Sequence, residues 1–361
     1  MRYMVWNNKG GVGKTFLTYT IATEYAIAHP ERQVAVIDMC PQANVSEMIL
    51  GGNGTGEKRL AEFASKGKTI AGYIKERYAR SRRDRLGTEA GYFCRASRLN
   101  EAMPPNFHLL PGDVDLDICS GLIAYMGNAP ERDAWRNSRK ILDDIVGAFE
   151  NAFDNTVVFI DCNPSFAVYT EMATVAAREL IIPCTADNAS IRGILNVFRL
   201  IYGVNAYKLL GVEQQIDDTF FTFSSLAQDK GFALPKVRMI VLNKSRSLDA
   251  TATKAWQAHS AQIRTVMDQI HESFRDMFCG NVRELVYDVK DGNTLATIAN
   301  HTGLPISVIK HGSYDVYGCE TIANQTQIDA LMVQLQSVVK ALSENGAPLS
   351  ASAGGVCDNL I

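Results

Sequence analysis

Nine residues near the start of the chain, Asn7-Asn8-Lys9-Gly10-Gly11-Val12-Gly13-Lys14-Thr15, constrain its fold more than any other stretch. Met4-Val5-Trp6 ahead of them reads as a buried strand, and Leu17, Ile21, Tyr25 and Ala28 behind them recur at the spacing of a helix face. A strand, a glycine-rich loop and a helix in that order form a P-loop, Gly-x-x-x-x-Gly-Lys-[Ser/Thr]. The three glycines let the backbone turn its N–H groups inward, at a helix N-terminus that already favours anions. Lys14 is then placed to reach the β- and γ-phosphates of a nucleotide, and the Thr15 hydroxyl to sit on Mg²⁺. The fold expected is α/β: a doubly wound, mostly parallel sheet flanked by helices.

Two further stretches support that class. Gln33 to Asp38 and Val157 to Asp161 are apolar runs that end in an acid. Such runs fit parallel strands buried on both faces, with the polar residue at the C-terminal tip where ligands bind. Asp161 is a magnesium-site candidate on these grounds.

Bulk properties exclude several functions. A net charge of −3 provides no global basic field, so any nucleic-acid contact must be a local patch. The eight cysteines form no Cys-x-x-Cys pair and the six histidines show no metal-ligand spacing. Scattered cysteines without a signal peptide fit a reducing cytoplasm, and no apolar run reaches the ~18 residues of a membrane span.

The loop with its second lysine, Asn-x-Lys-Gly-Gly-Val-Gly-Lys-Thr, resembles the deviant Walker A motif of the ParA/MinD family of ATPases, on the ParA side. The resemblance implies ATP and Mg²⁺ as cofactors and an ATP-sandwich homodimer in which Lys9 touches the partner's nucleotide. It implies catalytic roles for Lys9, Lys14 and Asp38. It places ATP on Lys9, Gly10, Gly11, Val12, Gly13, Lys14, Thr15 and Phe16, and the metal on Thr15, Asp38 and Asp161. Asp38 to Ser46 resembles the family's first switch, with Pro41, Gln42 and Asn44 matching. The family's second aspartate is Cys40 here. A thiol cannot position water as a carboxylate does, so slow or partner-dependent hydrolysis is expected. Asp161, Cys162, Asn163, Pro164 and Ser165 resemble the second switch, with Asn163 replacing a proline. Pro183, Asp187 and Ser190 match a further family segment. Asn243, at the tip of an apolar strand, either reads the adenine edge or is a turn residue.

Residues 1–345 are expected to form one ATPase domain with an insertion at about 51–105, and residues 346–361 a disordered tail. Within the insertion a helix is expected from Leu60 to about Tyr78. The basic segment from Lys75 to Arg85 carries Arg77, Arg80, Arg82, Arg83 and Arg85. It is either a phosphate-backbone patch for DNA or RNA, or a solvated helix end. Arg246 is a further candidate for such contacts. The family's DNA-binding arginines fall on Gly292 and Leu295, so that transfer fails. A helix is also expected from Trp135 through Phe153, with Ile141, Ile145, Ala148 and Ala152 on one side. The chain begins almost at the P-loop, leaving no room for an N-terminal helix-turn-helix, and its end lacks a basic amphipathic helix. The expected protein is therefore a switch in the cytoplasm or on the nucleoid, working with DNA and a ParB-type adaptor, without a membrane. A MinD-like positioning protein, a nitrogenase iron-protein-like reductase using Cys94 and Cys119, and a small-molecule ligase are the alternatives.

Overall fold

The computed structural model describes residues 1–80, 87–211, 222–244, 250–290 and 292–344. Its centre is an eight-stranded sheet of β1 (Arg2–Val5), β2 (Gln33–Met39), β3 (Cys94–Arg95), β4 (Phe107–Leu110), β5 (Thr156–Cys162), β6 (Glu179–Thr185), β7 (Lys236–Lys244) and β8 (Val286–Lys290). The strand order is β3-β4-β2-β5-β1-β6-β7-β8. Among the described residues of this sheet, only the β3–β4 pair is antiparallel. A two-stranded hairpin, β9 (Gly312–Val316) and β10 (Cys319–Ala323), stands apart.

The helices are α1 (Lys14–Ala28), α2 (Asn44–Ile49), α3 (Thr55–Ser65), α4 (Ile70–Arg80), α5 (Leu116–Gly127), α6 (Ala134–Arg139) and α7 (Ile141–Ala152) in the first half. The second half adds α8 (Val168–Ala176), α9 (Asn188–Tyr202), α10 (Phe223–Asp229), α11 (Ala250–Ser273), α12 (Thr294–Thr302) and α13 (Gln325–Glu344). Alternating side chains of β1, β2 and β5 feed two separate cores. Met4, Ile37 and Ile160 meet α4, α5, α7, α8, α9 and α11 on one face. Tyr3, Val36 and Phe159 meet α1, α2, α12 and α13 on the other. This is the doubly wound, mostly parallel sheet expected, and continuous apolar strands are what two covered faces require.

Parallel register brings the acidic strand tips together: Asp38 lies opposite Asp161, and Asp161 opposite Val5. Leu17, Ile21 and Tyr25 are fully buried, but Ala28 is exposed and Thr18, Tyr19, Thr20 and Thr23 are buried too. Covered by α13 as well as by the sheet, α1 is enclosed on more than one side, which a single-face reading underestimates.

Two long helices expected from the sequence are each divided. Leu60 to Tyr78 splits into α3 and α4, because Gly67 takes a left-handed conformation that ends the first helix. Trp135 to Phe153 splits at Lys140 into α6 and α7. The buried side of α7 is Ile141, Leu142, Ile145, Val146 and Phe149, while Ala152 is exposed, so the face is rotated from the one expected.

Candidate functional site: a P-loop beside two acidic strand tips

The loop is shaped for an anion. Gly13 caps α1 at φ +84°, and a Cβ there would lie 2.5 Å from the Asn243 amide nitrogen, so only glycine fits. The N–H groups of Gly10, Gly11, Val12 and Gly13 find no acceptor among the described residues. Followed by the uncapped first turn of α1, they form a row of free donors. Lys14 is 7% exposed and donates to the Lys9 carbonyl at 2.8 Å, folding across the loop mouth. Burial lowers its pKa, opposed by the Asp161 charge. A buried ammonium held by one carbonyl is ready to exchange it for a phosphate oxygen.

Asp161 is 1% exposed and accepts from Thr15 Oγ1 at 3.0 Å and Thr18 Oγ1 at 2.9 Å. Asp38 is fully buried and accepts from the backbone N–H of Cys40 and from both the N–H and hydroxyl of Ser46. The Gly112 N–H in turn donates to Ser46 Oγ. Asp38 therefore closes its own loop, while Asp161 faces the loop threonines. Both carboxyls are pushed up, Asp38 by burial and Asp161 by burial and by the Asp38 charge. Two neighbouring buried carboxylates with hydroxyl oxygens beside them are the donor set that a hard divalent cation such as Mg²⁺ takes. The residues fit that ion.

Around this centre the segment that resembles a first switch runs as Cys40, Pro41, Gln42 and Ala43 into α2. Gln42 and Asn44 are exposed and Pro41 is buried. Ala43 takes φ +51°, ψ +31°, the left-handed region where a Cβ is strained. Cys40 is half-buried, and burial with the Asp38 charge pushes its thiol up to about 12, so it stays protonated. In the turn after β5, Asn163 Oδ1 accepts from the Ser165 N–H and its amide reaches Tyr169 Oη. Trp6 Nε1 donates to the Asn163 carbonyl and Asn8 to the Pro164 carbonyl, tying this turn to the P-loop.

Asn243 donates from its amide to the Val12 carbonyl at 3.4 Å and so braces the loop from below. Phe16 packs on the Gly292 backbone, where a Cβ would lie 2.5 Å from its ring. Lys9 is held by Thr185, Asp187 and Ser190. Sequence reasoning missed Thr18 and Trp6 as parts of the site, and took Ser46 only as the end of the segment that begins at Asp38. Thr18 was within reach, since it lies one turn beyond Thr15 on the same helix face. Nothing local singles out Trp6.

Arg80 ends α4, whereas Arg82, Arg83, Arg85 and Arg246 lie outside the described residues, as does the expected tail. Nearby Arg77 is 2% exposed and pairs with Asp144, and Lys75 pairs with Asp115. Leu295, one of the positions where the transferred arginines fall, is core. Cys119 is fully buried, its thiol on the Ala71 carbonyl, and cannot face a cluster. Among the described residues no helix is long and apolar enough to cross a membrane.

A doubly wound sheet, a loop of unpaired donors with a buried lysine, and acids on the adjoining strand tips define a P-loop nucleotide-binding protein. A family model described as an AAA domain, AAA_31, matches residues 3–210, and the chain belongs to that family, among the ParA/MinD-type P-loop ATPases. The chain is 28% identical over 195 residues to the chromosome partitioning protein ParA of Caulobacter vibrioides, covering 54% of this chain. That match spans 60% of the relative's length. Apo McdA of Cyanothece has the same fold, with a TM-score of 0.58 at 14% identity, over 94% of this chain and 98% of that one. The pNOB8 ParA structure gives 0.53 at 14% identity, over 95% and 99%.

Proposed function

We propose that this chain is a ParA-like, ATP-dependent dimerising switch that partitions or positions DNA or a large assembly. One observation carries the reading: a single loop places Lys14 inside a cradle of free N–H donors and Lys9 at its rim. The N–H groups from Gly10 to Phe16 hold the phosphates with Lys14, and Thr15 and Asp161 hold Mg²⁺. Asp38 adds its charge to the magnesium position while it shapes the first switch. Bound metal supplies charge neutralisation at the phosphates. Lys9, as in a deviant Walker A loop, serves the nucleotide of a second copy. The γ-phosphate then orders the segments 38–46 and 161–165, the logic of an order–disorder switch.

Hydrolysis in this reading is slow, because Cys40 stands where a carboxylate would hold the water and its thiol does not ionise near neutral pH. The dimer presents a surface to nonspecific DNA and to an adaptor of ParB type, in the cytoplasm. The Caulobacter relative's name, a chromosome partitioning protein, supports the partition reading. So does the fold shared with a plasmid partition protein of Borrelia burgdorferi at a TM-score of 0.50 and 15% identity.

Gel filtration of wild type and Lys9→Ala with ATP–Mg²⁺, with and without nonspecific DNA, tests this. Wild type is expected to dimerise with ATP and be retained by DNA, and Lys9→Ala to remain monomeric. Oligomerisation independent of ATP in both defeats the sandwich. In a turnover assay Cys40→Asp is expected to be faster than wild type and Cys40→Ala unchanged. Fast wild-type turnover defeats the slow-switch reading.

A further inference from the structure

Lys9 is not left in solvent by its own subunit. Its ammonium donates to Thr185 Oγ1 at 2.7 Å, Asp187 Oδ2 at 2.5 Å and Ser190 Oγ at 3.2 Å. A lysine has three N–H donors, and here all three are used. The acceptors sit at one corner, where β6 ends and α9 begins, and they are also bonded to one another. The Thr185 hydroxyl donates to Asp187 Oδ2 at 2.7 Å and lies 2.9 Å from Ser190 Oγ. The Ser190 N–H donates to Asp187 Oδ1 at 2.8 Å, which makes Asp187 the N-cap of α9. One carboxylate oxygen thus caps the helix while the other holds Lys9.

Two properties make the corner a reversible seat rather than a structural pin. Without Lys9, Asp187 keeps the Ser190 N–H and the Thr185 hydroxyl, so no buried acceptor is orphaned. The pair also lies at the rim, with side chains 23% and 44% exposed, where ion pairs are weak and easily exchanged. The Asp187 carboxyl is penalised by burial, yet the Lys9, Thr185 and Ser190 bonds hold it down at about 2, so it is charged at any working pH.

The backbone beneath is fixed independently. Asn7 Nδ2 donates to the Pro183 carbonyl at 2.7 Å, and Asn7 Oδ1 accepts from the Lys9 N–H at 3.0 Å. Asn196 donates to Asn8 Oδ1. At Gly193 a Cβ would lie 2.8 Å from Asn7 Oδ1 and 3.3 Å from Lys9 Cβ, so glycine lets α9 approach the loop this closely. Only the Lys9 side chain is free to swing.

We propose that Asp187, with Thr185 and Ser190, latches Lys9 in cis, so that Lys9 must exchange the Asp187 carboxylate for a phosphate of the partner's nucleotide before two subunits can close. The inference rests on the dimer reading above and adds its regulation: Asp187 is a positioning residue that raises the ATP threshold for closure. The exchange is ionic, with no bond made or broken.

The test is sedimentation velocity of the full chain titrated with ATP–Mg²⁺, comparing wild type, Asp187→Asn and Thr185→Val. Asparagine caps helices as well as aspartate does, so Asp187→Asn keeps the α9 start and offers Lys9 only a neutral acceptor. The ATP concentration at half-dimerisation is expected to fall about three- to tenfold in Asp187→Asn, and less in Thr185→Val. Added salt is expected to narrow the gap, because it screens an exposed pair in wild type only. A merely structural cap would not give that salt dependence. If wild type dimerises and Asp187→Asn needs as much ATP or more, the latch is refuted and the dimer stands. If neither dimerises at saturating ATP, the dimer reading fails and the latch with it.

Discussion

The two ends of the central sheet treat buried charge in opposite ways. At the N-terminal end of the strands two buried arginines are matched by carboxylates. Arg2 pairs with Asp143 and Glu150, and Arg238, 5% exposed, makes two bonds to Glu179 at 2.5 and 2.7 Å. At the C-terminal end Asp38 and Asp161 stand side by side, and the nearest ammonium, Lys14, is bonded to a carbonyl instead. The first arrangement serves stability, since an unmatched buried charge costs several kcal/mol. The second accepts that cost where a cation and an anion are to be bound.

The contrast can be broken at several points. Arg238→Met strands Glu179 and is expected to lower unfolding free energy by about 3 to 5 kcal/mol in a denaturant titration, most of it recovered by adding Glu179→Leu. Lys14→Ala is expected to do the reverse. ATP affinity by calorimetry drops about a hundredfold, the loss of a charge-assisted phosphate contact, while stability without nucleotide is kept. Asp161→Asn removes one of two like charges and leaves a side chain that Thr15 and Thr18 can still bond. It is expected to raise nucleotide-free stability by about 1 kcal/mol or more and to abolish the effect of Mg²⁺ on ATP binding.

Acidity separates the same groups. Asp38 and Asp161 hold their protons to higher pH folded than unfolded, by burial in both and by the Asp38 charge at Asp161. Their contribution to stability is therefore present at acid pH and lost as pH rises from about 4 towards neutrality. Asp187 is held down near 2, so its contribution is present above about 4 and lost as pH falls towards 2. Melting temperature against pH, with and without Mg²⁺, checks both. The neutral-pH loss should vanish with the metal, and the acid loss should shrink in Asp187→Asn, with the Glu150 share, held down by Arg2, remaining. The smallest effect is expected at Ala43. A left-handed alanine costs about 1 kcal/mol or more, and glycine there returns part of this to chain entropy. Ala43→Gly should stabilise by about 0.5 to 1 kcal/mol.

Legibility followed the range of the interactions. The loop, α1 and the acids at 38 and 161 were readable because each rests on local pattern: glycines that allow the turn, an apolar run, a polar tip. Helix ends were less so. The break at Gly67 and the one at Lys140 were hidden inside runs that keep helical spacing, and the rotated face of α7 depends on what packs against it. The bond from Ser46 to Asp38, eight residues away, and that from Trp6 to the Asn163 carbonyl have no signal of their own. Arginines in the basic segment looked alike in sequence, yet Arg77 is a buried partner of Asp144.

By itself, the sequence determined that this chain makes a P-loop on a parallel sheet, because glycine conformations and strand apolarity are properties of neighbouring residues. It also carried both lysines of that loop and the cysteine at position 40. Only the tertiary structure decided which groups those residues meet. Parallel register set Asp38 against Asp161, and the approach of α9 at Gly193 brought Asp187, 178 positions away, onto Lys9. Such contacts arise from the packing of elements distant in the chain, and no periodicity within either element encodes them.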